Sequence, residues 1–169
     1  MRNVINLVES MRMENSEKWS SEDISAILME AKKLGFNGFG GECGEAAIAI
    51  NDVIFDGNGV LIAAVNKAFF THGSFIGHVA VYYNGIFWDA DGVPKDETDV
   101  DHWGMLDYED TDYQATASKC GFEWTEEAAD TFEMIQFEDD SEVLEYFNSG
   151  KLNEMLNIIE QAIINHQKK

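Results

Sequence analysis

Cys43 is the first residue in this sequence whose type and position suggest chemistry. It follows a glycine-rich stretch, residues 35–41, and begins a nearly all-apolar run that extends to Ile54. That pattern predicts a buried helix with the cysteine at its N-terminus. The positive end of a helix dipole stabilises a thiolate, and the unpaired N–H groups of a first turn can hold an oxyanion. Cys43 is therefore a candidate nucleophile for acyl transfer, although a small buried side chain fits the same pattern.

His78 is the candidate base for that nucleophile. It opens the segment HVAVYY, which together with Asn-Gly at residues 84–85 and the segment IFWDADG predicts a β-hairpin with a two-residue turn. In this register the numbers of facing residues sum to 169, so His78 faces Asp91 and has Asp89 on the diagonal. All three side chains would share one face of the hairpin. Either carboxylate can orient the imidazole, and the hairpin alone leaves the choice open.

The elements around these residues predict an α+β fold with an antiparallel sheet, formed by one domain over residues 1–169. Helices are expected at 4–12 and 22–34, the second with a capping box at Ser20 and Asp23 and a stop at Gly35. A turn is expected at 56–59, buried strand-like runs at 60–70 and 131–137, and an irregular acidic region at 93–113. Two final helices are expected within 141–147 and 151–167.

Acidic residues dominate the charge of the chain. There are 32 Asp and Glu against 11 Lys and Arg, a net charge of −21. Residues 89–145 hold 20 acidic residues and two lysines, which leaves −18 in that stretch. Such a surface repels nucleic acid and anionic lipid, so neither is an expected partner. We interpret the charge first as a source of solubility, and second as an attraction for a basic protein partner.

The two cysteines, Cys43 and Cys120, are too few for a disulfide framework and lack the spacing of metal ligands. No metal or cofactor is expected, and Cys120, with no base near it in the sequence, is interpreted as structural. No apolar run is long enough for a signal peptide or a membrane span, which favours the cytoplasm.

The segments GGECGEAAIAI and GHVAVYYNGIFWDADG resemble the core of the papain-like superfamily of thiol hydrolases, which includes NlpC-type and CHAP amidases and transglutaminase-like proteins. The resemblance implies a cysteine-bearing helix packed on an antiparallel sheet. It implies Cys43 as nucleophile, His78 as general base and acid, and Asp89, rather than Asp91, as the residue that orients the imidazole. Asn37 lies six residues before the cysteine, as an oxyanion-hole glutamine does in papain-like peptidases, but an asparagine among glycines is also a common turn residue.

The sequence departs from the known subfamilies, because Glu42 and Gly44 flank the cysteine where other residues are usual. Glu42 would oppose formation of a thiolate. Three functions stay open: a hydrolase or acyltransferase acting on an amide, isopeptide or thioester bond, an acidic non-catalytic inhibitor or DNA mimic on the same scaffold, and a peptidoglycan amidase. Small size, acidity and a minimal triad suggest a viral or mobile-element protein.

Overall fold

A five-stranded antiparallel sheet organises the fold in a computed structural model that describes residues 18–39 and 41–169, with the backbone alone at residues 2–3 and 101. The predicted helix at 4–12 lies outside the described residues. The strand order is β1-β5-β2-β3-β4. The strands are β1 (Arg2–Asn3), β2 (Val60–Val65), β3 (Gly77–Tyr83), β4 (Ile86–Trp88) and β5 (Glu133–Gln136).

Helices precede, interrupt and follow the strands, so the predicted α+β class is confirmed. The longer helices are α1 (Ser21–Lys33), α2 (Cys43–Ile54), α5 (Thr111–Cys120), α7 (Asp140–Tyr146) and α8 (Leu152–Gln167). The short ones are α3 (Lys67–Thr71), α4 (Glu97–Val100), a 3₁₀ turn (Asp101–Gly104) and α6 (Glu126–Ala129). Among the described residues, no helix is long and apolar enough to cross a membrane.

Helix α2 is the centre of the main core. It packs on β3 on one side and on α8 on the other, while α1 packs on α8. Its side chains Ile48 and Ile50 are completely buried, as are Ile27 of α1 and Ile159 of α8. A run without a polar face can only be stable in such an enclosed position, which is why the apolar pattern predicted it.

The opposite face of the sheet carries a second, smaller core. Ala80 and Tyr82 of β3 lie there with Val100 of α4, and Trp103 packs against them. Val79 and Val81 point instead toward the α2 side. Successive side chains of β3 therefore point to opposite faces of the sheet. Helix α2 covers one face, and the 3₁₀ turn covers the other.

The β3–β4 hairpin has the predicted register over its first three pairs. Asn84 and Gly85 adopt positive φ angles of 50° and 81°, as a type I′ turn requires, and Val81 pairs with Trp88. The pairing then stops, because the Gly92 N–H donates to the Asp89 carbonyl at 3.2 Å and the chain turns away. The expected strand through residue 91 is therefore too long, and the predicted pairing of His78 with Asp91 does not form.

Two other segments differ from the expectation. The buried run at 60–70 is a strand only to Val65, because the Asn66 side chain accepts from the Phe69 N–H and starts α3. The acidic region at 93–113 is not irregular, since it contains α4, the 3₁₀ turn and the start of α5. Asp110 caps α5 by accepting from the Asp112 N–H at 2.8 Å. Acidic residues that look like a loop in sequence act here as helix N-caps.

Candidate active site

Cys43 is the first residue of α2 and only 6% of it is exposed. Glu42, the N-cap, makes no side-chain capping bond, and the first helical bond runs from the Ala46 N–H to the Glu42 carbonyl. The N–H groups of the three residues between them therefore lie in the unpaired first turn of a twelve-residue helix. This end of α2 places a thiol beside donors that can stabilise a developing negative charge.

His78 is the second residue of β3, and its imidazole lies between Cys43 and Asp89. Its Nε2 donates to Asp89 Oδ2 at 2.8 Å. Since the carboxylate occupies Nε2, Nδ1 is the ring nitrogen open to the Cys43 thiol, which lies close enough to raise the pKa of the imidazole. This is the tautomer in which Nδ1 can accept the thiol proton.

The electrostatics of His78 favour its protonated form. Burial lowers the pKa of its imidazole, but the hydrogen bonds with Asp89 and Cys43, and the attraction of their negative charges, raise that pKa to about 9. An imidazolium is therefore stable at neutral pH beside the thiol and the carboxylate. A histidine of this kind is ready to protonate a leaving group.

Asp89 lies just beyond β4 with only 5% of its surface exposed. Besides His78, its carboxylate accepts from the Asp91 N–H at 3.0 Å and from Lys95 Nζ at 3.2 Å. Burial would raise the pKa of Asp89, but the bonds from His78 and Asp91 and the Lys95 charge hold it well below its usual range. The residue thus stays an anion, which fixes the imidazole and stabilises its positive charge.

Lys95 is a neighbour of this group that the sequence analysis did not identify. Its backbone forms an isolated bridge with Phe87, and both hydrogen bonds of that bridge are present. The Lys95 side chain is only 13% exposed, and its ammonium group also donates to Asp91 Oδ1 at 2.6 Å. A lysine six residues after the aspartate gives no recognisable signal in the sequence, because the turn at 89–92 brings the two together.

The other two candidate residues occupy different roles. Asp91 accepts from the Val93 N–H at 2.8 Å and from Lys95, so its carboxylate faces the loop and the lysine. Asn37 is exposed, and its Oδ1 accepts from the Phe39 N–H at 3.2 Å, which is the contact of a turn residue. The structure therefore brings Cys43, His78 and Asp89 together.

Two aromatic rings flank the imidazole. Trp103 presents its edge to His78 with ring centroids 4.5 Å apart, and Phe39 lies nearly parallel at 6.4 Å. Together with Ile76, Leu106 and Tyr113 these rings line a cavity of about 340 Å³ that is open to solvent. The same cavity includes His78 and Asp89 in its wall, so a bound molecule would contact the imidazole directly.

A buried carboxylate joins the start of α2 to the start of α8. Glu45 is completely buried and accepts from the N–H and hydroxyl of Ser149 and from the Lys151 N–H. Gly44 is required beside it, because a Cβ atom there would lie 2.6 Å from Phe147 Cβ. In the sequence, the signal for this contact is a single charged residue early in an otherwise apolar helix, because a buried charge needs polar partners.

The sequence predicts that Glu42 opposes a thiolate. In the structure, however, its carboxylate forms an ion pair. Lys151 Nζ donates to its carboxylate at 2.7 Å. That ion pair also raises the pKa of Lys151, so the ammonium persists beside the carboxylate. The charge next to Cys43 is thus balanced by a residue 109 positions away in the chain.

Cys120 and His72 lie away from this site. Cys120 ends α5 and packs with Phe69 and Trp124 in a separate aromatic cluster, and His72 stacks on Phe122. Among the described residues, no group of three or more His, Cys, Asp or Glu is arranged to hold a metal ion. Comparisons of the chain with models of protein families, with curated proteins and with solved structures found no match.

Proposed function

We propose that this protein is a thiol hydrolase or acyltransferase that acts on an amide, isopeptide or thioester bond through an acyl-enzyme at Cys43. The observation that supports this most is the position of His78, whose Nε2 is held by Asp89 at 2.8 Å while Cys43 lies close enough to raise the pKa of the imidazole. A nucleophile, a base and an orienting anion in that order form the minimum needed for acyl transfer. At the level of the fold, we propose that the protein has the papain-like core that its sequence resembles.

The proposed reaction moves one proton through His78 in each half. The thiol proton is held on His78 as the imidazolium, and Cys43 Sγ attacks the carbonyl carbon as the thiolate, while the first-turn N–H groups of α2 stabilise the oxyanion. The tetrahedral intermediate collapses, the bond to the leaving group breaks, and His78 protonates the departing atom. Water or another acceptor then attacks the thioester, His78 takes and returns the proton, and the product leaves with the thiol restored.

The proposal is tested first by the reactivity of the two cysteines. With iodoacetamide at neutral pH and peptide mapping, Cys43 should be alkylated at least about tenfold faster than Cys120, because an adjacent imidazolium favours the thiolate. His78→Gln should lower the rate at Cys43 about tenfold or more. His72→Gln is the matched control and should leave it unchanged, since His72 bonds the Ala68 carbonyl instead.

The acyl-enzyme is tested with p-nitrophenyl acetate. Intact-protein and peptide mass spectrometry should find one acetyl group on Cys43 in the wild type, and none on that peptide in Cys43→Ala or His78→Gln. Equal alkylation of both cysteines, or a Cys43 rate independent of His78, would contradict the proposal. In that case the charge of −21 would favour an acidic protein that binds a basic partner without catalysis.

A further inference from the structure

We infer that Glu45 is a positioning residue, whose bonds to Ser149 and Lys151 hold the first turn of α2 where its N–H groups can stabilise the oxyanion. This inference rests on the proposed function, and it extends the site to residues 147–151, which we call the α7–α8 connection. Three features of the described residues support it: the place of Glu45 in its helix, the bonds of its carboxylate, and the contacts of the connection on either side of Cys43.

Glu45 is the third residue of α2, a position from which a carboxylate commonly folds back onto the start of its own helix. Two other helices of the chain follow this rule. Asp23, the third residue of α1, accepts from the N–H and the hydroxyl of Ser20, and Glu142, the third residue of α7, accepts from the Glu138 N–H at 2.6 Å. At α2, a carboxylate folded back in this way would put negative charge where the proposed oxyanion forms.

The carboxylate of Glu45 bonds to the α7–α8 connection instead. It accepts from the Ser149 N–H, from the Ser149 hydroxyl at 3.0 Å and from the Lys151 N–H at 2.9 Å. Glu45 is completely buried, so any rotation of its side chain would leave a buried charge without donors. These three bonds therefore hold the carboxylate on the connection, and they fix the backbone of the first turn of α2 relative to the start of α8.

The same connection contacts the residues on both sides of Cys43 in the chain. Lys151 Nζ donates to the Glu42 carboxylate at 2.7 Å. Phe147 packs so closely on Gly44 that a Cβ atom there would lie 2.6 Å from Phe147 Cβ. The position of the first turn therefore depends on the α7–α8 connection. Acyl transfer is sensitive to such placement, because a misplacement of about 1 Å can cost about 100-fold in rate.

Two reagents separate the stabilisation of an oxyanion from the reactivity of the thiolate. p-Nitrophenyl acetate is attacked at its carbonyl carbon, so negative charge develops on the carbonyl oxygen before p-nitrophenolate leaves. Iodoacetamide is attacked at its CH₂ carbon, where the S–C bond forms as the C–I bond breaks, and iodide leaves without an oxyanion. We therefore divide the acetylation rate of Cys43 by its alkylation rate, both measured by peptide mapping. A change in the thiolate population or in access to the thiol alters both rates alike, so the ratio reports the oxyanion.

Glu45→Gln should lower this ratio about tenfold, because an amide cannot accept from all three donors and the first turn loses its anchor. Ser149→Ala removes only the hydroxyl and should lower the ratio about threefold. Ser149→Thr, which keeps a hydroxyl at this exposed residue, should retain the wild-type ratio. Asn51→Ala is the matched control. Asn51 accepts from the Gly59 N–H at 2.8 Å near the other end of α2, so its loss should destabilise the helix and leave the ratio unchanged.

The outcomes separate this inference from the function on which it rests. If Glu45→Gln and Ser149→Ala keep the wild-type ratio, Glu45 is only structural, and the inference is wrong while the nucleophile stands. A higher ratio in Glu45→Gln would show that the carboxylate opposes the oxyanion through its charge and does not position its donors. If Asn51→Ala lowers the ratio as much, general destabilisation of α2 explains the effect and the inference fails. If wild-type Cys43 lacks His78-dependent reactivity with both reagents, the proposed function itself fails, and this inference with it.

Discussion

Asp89→Asn is the substitution whose effect the site geometry defines most sharply. The pKa of His78 is about 9 because hydrogen bonds and negative charge from Asp89 and Cys43 outweigh the opposing effect of burial. Asparagine keeps the shape of the side chain and can still accept from Nε2, but it removes the charge 2.8 Å from the imidazole. An opposite charge at such a distance shifts a pKa by about one to three. The proton affinity of His78 should therefore fall about 10- to 1,000-fold.

The measurement is an NMR titration of the ring Cε1–H signals in wild type and variant, with the four histidines assigned by single glutamine substitutions. Asp91→Asn is the matched control, because its Oδ1 faces Val93 and Lys95 and an amide oxygen can replace it there. That variant should leave the pKa of His78 close to the wild-type value. The reasoning is refuted if Asp89→Asn leaves the pKa near 9, or if Asp91→Asn lowers it by as much.

Further substitutions test the contacts beside the site and, at Asp52, the stability of α2 near its other end. Glu45→Gln should lower the free energy of unfolding by about 2 kcal/mol in urea titrations, because an amide NH₂ would face donors that now bind a buried carboxylate. Lys95→Met should raise the pKa of His78, opposite to Asp89→Asn, since it removes a positive charge from the Asp89 carboxylate, and Lys95→Arg should restore it in the same NMR titration. Burial raises the pKa of Asp52, so folding disfavours its charged form; Asp52→Asn should therefore stabilise the protein by about 0.5 kcal/mol at neutral pH after solvent screening. That gain should shrink as pH falls through the raised pKa, because the wild-type carboxyl then becomes neutral, and thermal unfolding at several pH values measures it.

Local rules in the sequence predicted the elements that carry the nucleophile and the base. A nearly all-apolar run starting at Cys43 predicted α2 with the bounds that the structure has. The Asn-Gly pair at 84–85 fixed the register of the hairpin, because only a few residue types adopt positive φ in succession. Ser20 and Asp23 form the predicted capping box at the start of α1. Each of these features depends on residues that are close in sequence.

Such local rules could not predict how the site residues meet in the folded chain. The end of β4 at Trp88 is set by the Asp89–Gly92 turn, and this turn decides which aspartate meets His78. This turn is a local one, with Asp89 Oδ1 accepting from the Asp91 N–H and Gly92 at a φ of 77°, and its signal in the sequence is the Asp-Gly pair that the strand prediction overlooked. The position of Trp103 against the imidazole depends on how the 3₁₀ turn covers the sheet, and the hydrogen bonds of Glu45 depend on a segment more than a hundred residues away. Tertiary packing determines these contacts.

The placement of two lysines reconciles a strongly acidic chain with a site that needs a thiolate. A net charge of −21 favours proton uptake by groups on the surface. The same negative charge therefore disfavours the anionic form of a nucleophile. Two carboxylates beside the proposed pair, Glu42 and Asp89, are each bound by a lysine, Lys151 and Lys95. Lys95 has the larger effect, because its side chain is 13% exposed and Lys151 is 52% exposed, where water and salt screen the pair. Each of these two negative charges is therefore balanced at short range by a lysine, although the chain as a whole is strongly acidic.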